Sequence, residues 1–104
     1  MKLHIEVLLD RTVLRPTGRF DAHESPFFQK VFESALADGA TNVDVELAEV
    51  NFIDSTALAE LVRAHRLLDS IGGTLTLRSP SDPVRVILEV TRLASFFTLA
   101  LLPV

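Results

Sequence analysis

Three features of the sequence predict an α/β fold: one domain with a mixed β-sheet of four to five strands and helices on one face. Alternating apolar runs and amphipathic helical runs take turns along the chain in the order β-β-α-β-α-β-α-β. The length of 104 residues with 48% apolar content suits one domain over residues 1–104, large enough for a core without disulfides or metal. Val43-Asp44-Val45-Glu46-Leu47 alternates cleanly, so Asp44 and Glu46 are expected on a wet face and the helices on the other.

Each element has its own signal. Leu3, Ile5, Val7 and Leu9 share one side of a first, half-buried strand. Asp10-Arg11 is a short connection to a second strand over residues 12–17, paired with the first as a hairpin. Pro16 cannot donate to a ladder, which places that strand at an edge or ends it there. Residues 18–24 read as a loop. Ser25-Pro26 starts a helix, as an N-cap hydroxyl followed by proline at the first helical position. Phe27, Phe28, Val31, Phe32, Ala35 and Leu36 then form a broad apolar stripe, and Gly39 ends it. A second helix runs to about Ile71 and stops at Gly72-Gly73. Residues 74–78 alternate as a strand. Asp82-Pro83 opens a third helix carrying Val84, Ile87, Leu88 and Val90, and residues 98–102 form a short last strand. Two strand–helix–strand units imply parallel neighbours with right-handed crossovers. Val43, Val45 and Leu47 are expected to pack under Phe28, Val31, Leu61 and Leu68. The phenylalanines Phe27, Phe28, Phe32 and Phe52 are expected in the core.

Composition excludes several functions. The net charge is −4 with ten scattered basic residues, which argues against nucleic acid or an anionic membrane as partner. There is no cysteine, hence no thiol chemistry and no disulfide framework. The N-terminus has no secretory apolar run, and no segment approaches the ~18 apolar residues of a membrane span. A cytoplasmic protein is expected. His4, His23 and His65 lie far apart on different elements, so no metal site is expected. No phosphate-loop motif is present. No cofactor is expected, and ATP for any phosphorylation must come from a partner.

The informative stretch is Asn51-Phe52-Ile53-Asp54-Ser55-Thr56-Ala57-Leu58-Ala59-Glu60-Leu61-Val62. An acid and two hydroxyls sit where an apolar segment turns into a helix. With Ala57, Leu61, Ala64, Leu68 and Ile71 facing the core, Ser55 and Thr56 project more than about 90° away at about 100° per residue. One reading is a helix cap, in which Asp54 or Ser55 satisfies free backbone N–H groups. It accounts for one of the three residues. The other reading is a phosphate acceptor. The first turn tolerates an anion, while a partner's surface would meet a new charge of about −1.5 to −2. One turn on from Ser55 stand Ala59 and Val62, small and apolar, which permit close approach of a partner.

Phe52-Ile53-Asp54-Ser55-Thr56-Ala57-Leu58-Ala59 resembles the F-M-D-S-[ST]-G-L-G signature of anti-sigma factor antagonists, the STAS-domain family. Gly18 to Pro26 (GRFDAHESP) is similar to that family's G-E-[LI]-D-x-x-[TS]-A-P segment. Val84 to Leu93 (VRVILEVTRL) resembles its V-x-R-[VI]-[LF]-x-[LV]-[TS]-G-L run. The resemblance covers nearly the whole chain and implies a STAS-like fold without enzymatic activity. It implies binding to an anti-sigma factor that is itself a serine kinase. It also implies phosphorylation at Ser55, which ends binding, and reversal by a PP2C-type phosphatase. Asp21 matches the family's first-loop aspartate near that serine. Asp21, Asp54, Thr56, Ala59 and Val62 are the expected partner-binding residues around Ser55.

The sequence departs from the family at four places. Ala57 and Ala59 stand where glycine is usual, and their methyls crowd a kinase's approach to Ser55. Arg92 replaces a glycine that commonly ends the third helix. The chain stops at Val104, where relatives usually add a helix. These departures keep a second class open: a constitutive STAS scaffold, or a transporter-associated subunit without phospho-switching. A hydrolase built from Ser55, His23 and Asp21 is a third, although the nucleophile elbow G-x-S-x-G is absent.

Overall fold

The computed structural model describes residues 1–101. Six strands and three helices follow one another as β1 (Lys2–Val7), β2 (Thr12–Phe20), α1 (Ser25–Ala37), β3 (Asn42–Glu46), β4 (Val50–Ile53), α2 (Ser55–Ser70), β5 (Thr74–Arg78), α3 (Asp82–Val90) and β6 (Thr98–Ala100). The sheet order is β1-β2-β3-β5-β6, with β4 paired to β2 off this path. Only β1 and β2 are antiparallel; every other pairing is parallel. The mixed sheet and the hairpin agree with the sequence reading. The strand count is six rather than four to five.

The additional strand is β4, inside the stretch read as leading directly into a helix. Val50 and Ile53 are buried while Asn51 and Phe52 are exposed, a pattern too short to register as alternation. β2 accommodates it by changing partners. Thr12, Val13 and Leu14 pair with β3; Gly18, Arg19 and Phe20 pair with β4, with a register shift between Gly18 and Arg19. Gly18 has φ +91°, a conformation that glycine adopts without a Cβ clash. Residues 18–20, read as loop, are therefore strand.

Pro16 neither ends β2 nor marks an edge. It lies opposite Leu3 of β1, between the two parallel-paired segments. The missing N–H falls where β3 has left and β4 has not begun, so no parallel bond is lost.

All three helices pack on one face. Leu14, Val43, Val45, Leu47, Leu75 and Leu77 from the sheet meet Phe28, Phe32, Ala57, Leu61, Leu68, Val84 and Leu88 from the helices in one buried cluster. Val43, Val45 and Leu47 pack as expected; Val31 sits at the rim of that cluster. Phe27 and Phe52 are exposed, as are Val90 and Ile71, against the sequence reading. Ile71 lies just past the last helical turn, where the backbone leaves the periodicity that would bury it.

The opposite face corrects a second expectation. Asp44 does face away from the helices, but it is only 4% exposed. Its Oδ2 accepts from Arg11 Nη1 at 3.1 Å and from Arg78 Nη1 at 3.4 Å. Glu46, half-buried, also pairs with Arg78 at 3.5 Å. Arginine stems cover the carboxylates while their guanidinium groups neutralise them, so this face is paired rather than wet.

Two further sequence expectations concern Arg92 and the last strand, which is present but shorter than expected. Arg92 adopts φ +60°, a left-handed conformation that glycine adopts most readily, and Leu93 N–H closes on Leu88 O at 3.0 Å. β6 lies parallel to β5, with Leu99 against the core and Leu101 exposed. The strand ends at Ala100, short of the expected 98–102, because Leu101 has already left the pairing with β5 and faces solvent; Leu102 lies outside the described residues.

Candidate functional site

The three residues Asp54, Ser55 and Thr56 sit at the end of β4, beside the end of β2. Phe20 and Ile53 are paired at that end, and Asp54 N–H donates to Phe20 O. The two loops that leave these parallel strands are thereby held together, which brings Asp21 and the 54–56 turn to one end of the molecule.

Asp54 is the N-cap of α2, in an extended conformation (φ −116°, ψ 179°). Its Oδ1 accepts from Ala57 N–H at 2.9 Å, the standard way a capping carboxylate satisfies a free donor. Its Oδ2 accepts from Ala22 N–H at 2.8 Å. One carboxylate therefore caps the helix and ties it to the loop after β2. Of the two caps proposed from sequence, Asp54 is the cap and Ser55 is not.

Ser55 and Thr56 are exposed, and among the described residues neither hydroxyl has a hydrogen-bond partner. Ala59 is exposed one turn further on. Val62 is half-buried and packs on the core, so it offers only part of its surface. Ala57 is completely buried. Its methyl faces inward and does not obstruct the approach to Ser55, contrary to the sequence reading; of the two alanines only Ala59 adds surface.

Asp21 organises the neighbouring helix. Its Oδ1 accepts from Glu24 N–H at 3.1 Å, and its carbonyl accepts from the Ser25 hydroxyl at 2.8 Å. Ser25 is thus the first helical residue, with a buried hydroxyl, and not the N-cap that its sequence position suggested. Asp21 Oδ2 meets Arg19 Nε at 3.4 Å. Burial pushes the Asp21 carboxyl up, but the Glu24 N–H and the Arg19 guanidinium together outweigh it and hold the group below its usual range.

Sequence reasoning missed Arg19 and Phe52. The Arg19 guanidinium lies 3.9 Å from the centre of the Phe52 ring, a cation–π contact. The two residues are exposed and paired across β2 and β4. No local pattern announces this, because the pairing depends on a strand of four residues that the sequence does not reveal.

The other chemistry weighed from sequence does not assemble here. His23 is exposed and its imidazole has no hydrogen-bond partner among the described residues, while the Asp21 carboxylate is engaged by backbone N–H groups and an arginine. The oriented base of a Ser-His-Asp triad is not formed. Among the described residues, no group of three or more His, Cys, Asp or Glu side chains could hold a metal ion, and no helix is long and apolar enough to cross a membrane.

A mixed sheet backed by helices on one face, with a capped helix start presenting two free hydroxyls, defines a small α/β module with an exposed polar turn. The chain belongs to the STAS domain family, whose model matches residues 2–102. It is 29% identical over 89 residues to a candidate anti-sigma factor antagonist of Thermotoga neapolitana, covering 85% of this chain and 79% of that protein. It is also similar to the crystal structure of a candidate anti-sigma factor antagonist from Thermotoga maritima, with TM-score 0.87 and 26% identity over 94% of this chain and 85% of that one. The Bacillus cell fate determinant SpoIIAA in its phosphorylated form shares the fold, with TM-score 0.75 and 22% identity over 95% and 91% of the two chains.

Proposed function

We propose that this protein is an anti-sigma factor antagonist, a binding module rather than an enzyme, switched by phosphorylation of Ser55. Unphosphorylated, it binds an anti-sigma factor that is a serine kinase. Phosphorylated, it releases that partner, and a PP2C-type phosphatase returns it to the binding form. These events belong to the cytoplasm, where sigma factors act.

The observation that carries this reading is the division of labour at the start of α2. Asp54 alone completes the cap, so Ser55 is not needed for the fold and its hydroxyl stays free for a kinase. A phosphate there lies at the positive end of the α2 dipole, which the helix tolerates. The adjacent Asp54 carboxylate repels it and keeps it outward. Asp21, Thr56, Ala59 and the exposed part of Val62 form the surrounding contact surface, with Asp54 shaping it through the Ala22 bond. Burying a phosphate against a partner without a cation opposite costs at least ~3 kcal/mol, more than about a hundredfold in affinity.

The test is incubation with the cognate anti-sigma kinase and ATP, peptide mapping of the phosphate, and titration of both forms. Ser55→Ala binds with or without ATP; Ser55→Glu folds normally and binds poorly. Phosphate elsewhere, or equal affinity of the two forms, would overturn the switch. That result would leave a constitutive STAS scaffold or transporter-associated subunit.

A further inference from the structure

We propose that β1 is a self-association edge, at which two copies of this chain pair antiparallel into one continuous sheet. This is independent of the switch at Ser55.

β1 is the terminal strand of the sheet and pairs with β2 along all six of its residues without a bulge. An open strand edge is a template for another chain, and proteins usually guard it with proline, a bulge, a very short strand or charged side chains; in β1 the charges, Lys2 and Glu6, lie on the face away from the helices. β1 has none of these guards on its helix-side face. That face carries Leu3, Ile5 and Val7, as the pairing of Ile5 with the core residue Leu14 shows. Ile5 is 46% and Val7 78% exposed, and Leu8 and Leu9 extend the apolar surface beyond them. The sequence reading of Leu3, Ile5, Val7 and Leu9 as a half-buried stripe holds for Leu3 alone. A groove of about 350 Å³ runs from this strand end to α1, walled by Ile5, Val7, Leu9, Val31 and Ala35. The opposite edge, β6, is only three residues long.

The occupant follows from the pattern of charge. The second face of β1 carries Lys2, His4 and Glu6; Glu6 pairs with Arg15 of β2 at 3.2 Å but stays 44% exposed, so the end of the strand still offers a carboxylate to a second cation. Antiparallel self-pairing about a two-fold axis normal to the sheet sets residues of the same face opposite each other. Leu3, Ile5 and Val7 then meet their own kind, and the basic end of one strand lies beside Glu6 of the other. Parallel self-pairing would instead stack Lys2 on Lys2 and Glu6 on Glu6. The strand is therefore complementary to itself in one direction only, and a second copy fits both of its faces.

Sedimentation equilibrium on the full chain tests the interface. The expected mass is twice that of the chain at high micromolar concentration, falling to one chain on dilution. Val7→Lys, at an exposed position, should sediment as a single chain at the same concentration with an unchanged circular dichroism spectrum. Glu6→Lys makes the polar face wholly basic, and the double variant Lys2→Glu, His4→Glu makes it wholly acidic. Each alone should be monomeric, and an equimolar mixture of the two should regain twice the chain mass. A single-chain mass for the unaltered protein at every concentration would overturn the proposal. So would a dimer undiminished by Val7→Lys, or a folded pair of charge variants that fails to associate on mixing.

Discussion

Asp54 Oδ2 accepts a hydrogen bond from Ala22 N–H at 2.8 Å, joining residues 32 positions apart in the chain. The same carboxylate caps α2 through Ala57 N–H, so one side chain determines both where the helix starts and where the preceding loop lies. The aspartate before the exposed serine is thus structural, and its removal disturbs the surface around Asp21 and Ser55.

Asp54→Ala is expected to lower the unfolding free energy by about 2 kcal/mol, the upper end for loss of a capping side chain, because two backbone donors lose their acceptor. Ser55→Ala, by contrast, should fall within about 0.5 kcal/mol of the unaltered protein. Urea denaturation of both variants measures the difference. Equal midpoints would mean that water replaces Asp54 at both N–H groups without loss.

Asp21 predicts a pH dependence. Its carboxyl is held below the ordinary range in the folded protein, so the unfolded chain takes up that proton first as pH falls. The stabilisation is fully present above about pH 4, the unfolded carboxylate value, and is lost as pH drops through the folded value. The stability gap between the unaltered protein and Asp21→Asn should therefore be constant at neutral pH and narrow in acid. Thermal melts from pH 7 to acid measure it; a gap that widens in acid would contradict the assignment.

The arginine-covered face makes a graded prediction. Val45→Asp buries an unpaired charge in the core and should cost several kcal/mol. Asp44→Ala leaves Arg78 and Arg11 without their shared carboxylate and should cost about 1–3 kcal/mol. Glu46→Ala breaks one half-buried pair and should stay within about 1 kcal/mol. Chemical denaturation of the three variants should return this order.

Arg92→Gly should stabilise the domain. A left-handed backbone costs an L-residue about 1–2 kcal/mol. The additional unfolded-state freedom of glycine returns about 0.4–1 kcal/mol of that. The net gain is about 0–1.6 kcal/mol, centred on about 0.8 and read as a higher melting temperature. A lower one would mean that the exposed Arg92 side chain makes a contribution exceeding its backbone strain.

The sequence by itself determined the three helices, the hairpin, the strands β3 and β5 and the family resemblance, because each rests on a local repeat or a contiguous motif. Val43-Asp44-Val45 shows its two faces, and Asp82-Pro83 shows its helix start, without reference to anything distant. Tertiary structure alone decided β4, the interior position of β2 despite Pro16, the burial of Asp44 under Arg11 and Arg78, and the contact of Arg19 with Phe52. Each of these depends on which strand lies beside which, a property of pairs far apart in the chain. At the candidate site the division is the same. Asp54-Ser55-Thr56 is legible as a polar helix start, whereas the second bond of Asp54, to Ala22, exists because β2 and β4 end side by side. That adjacency turns a local cap into a link between two loops and leaves the Ser55 hydroxyl with no structural duty.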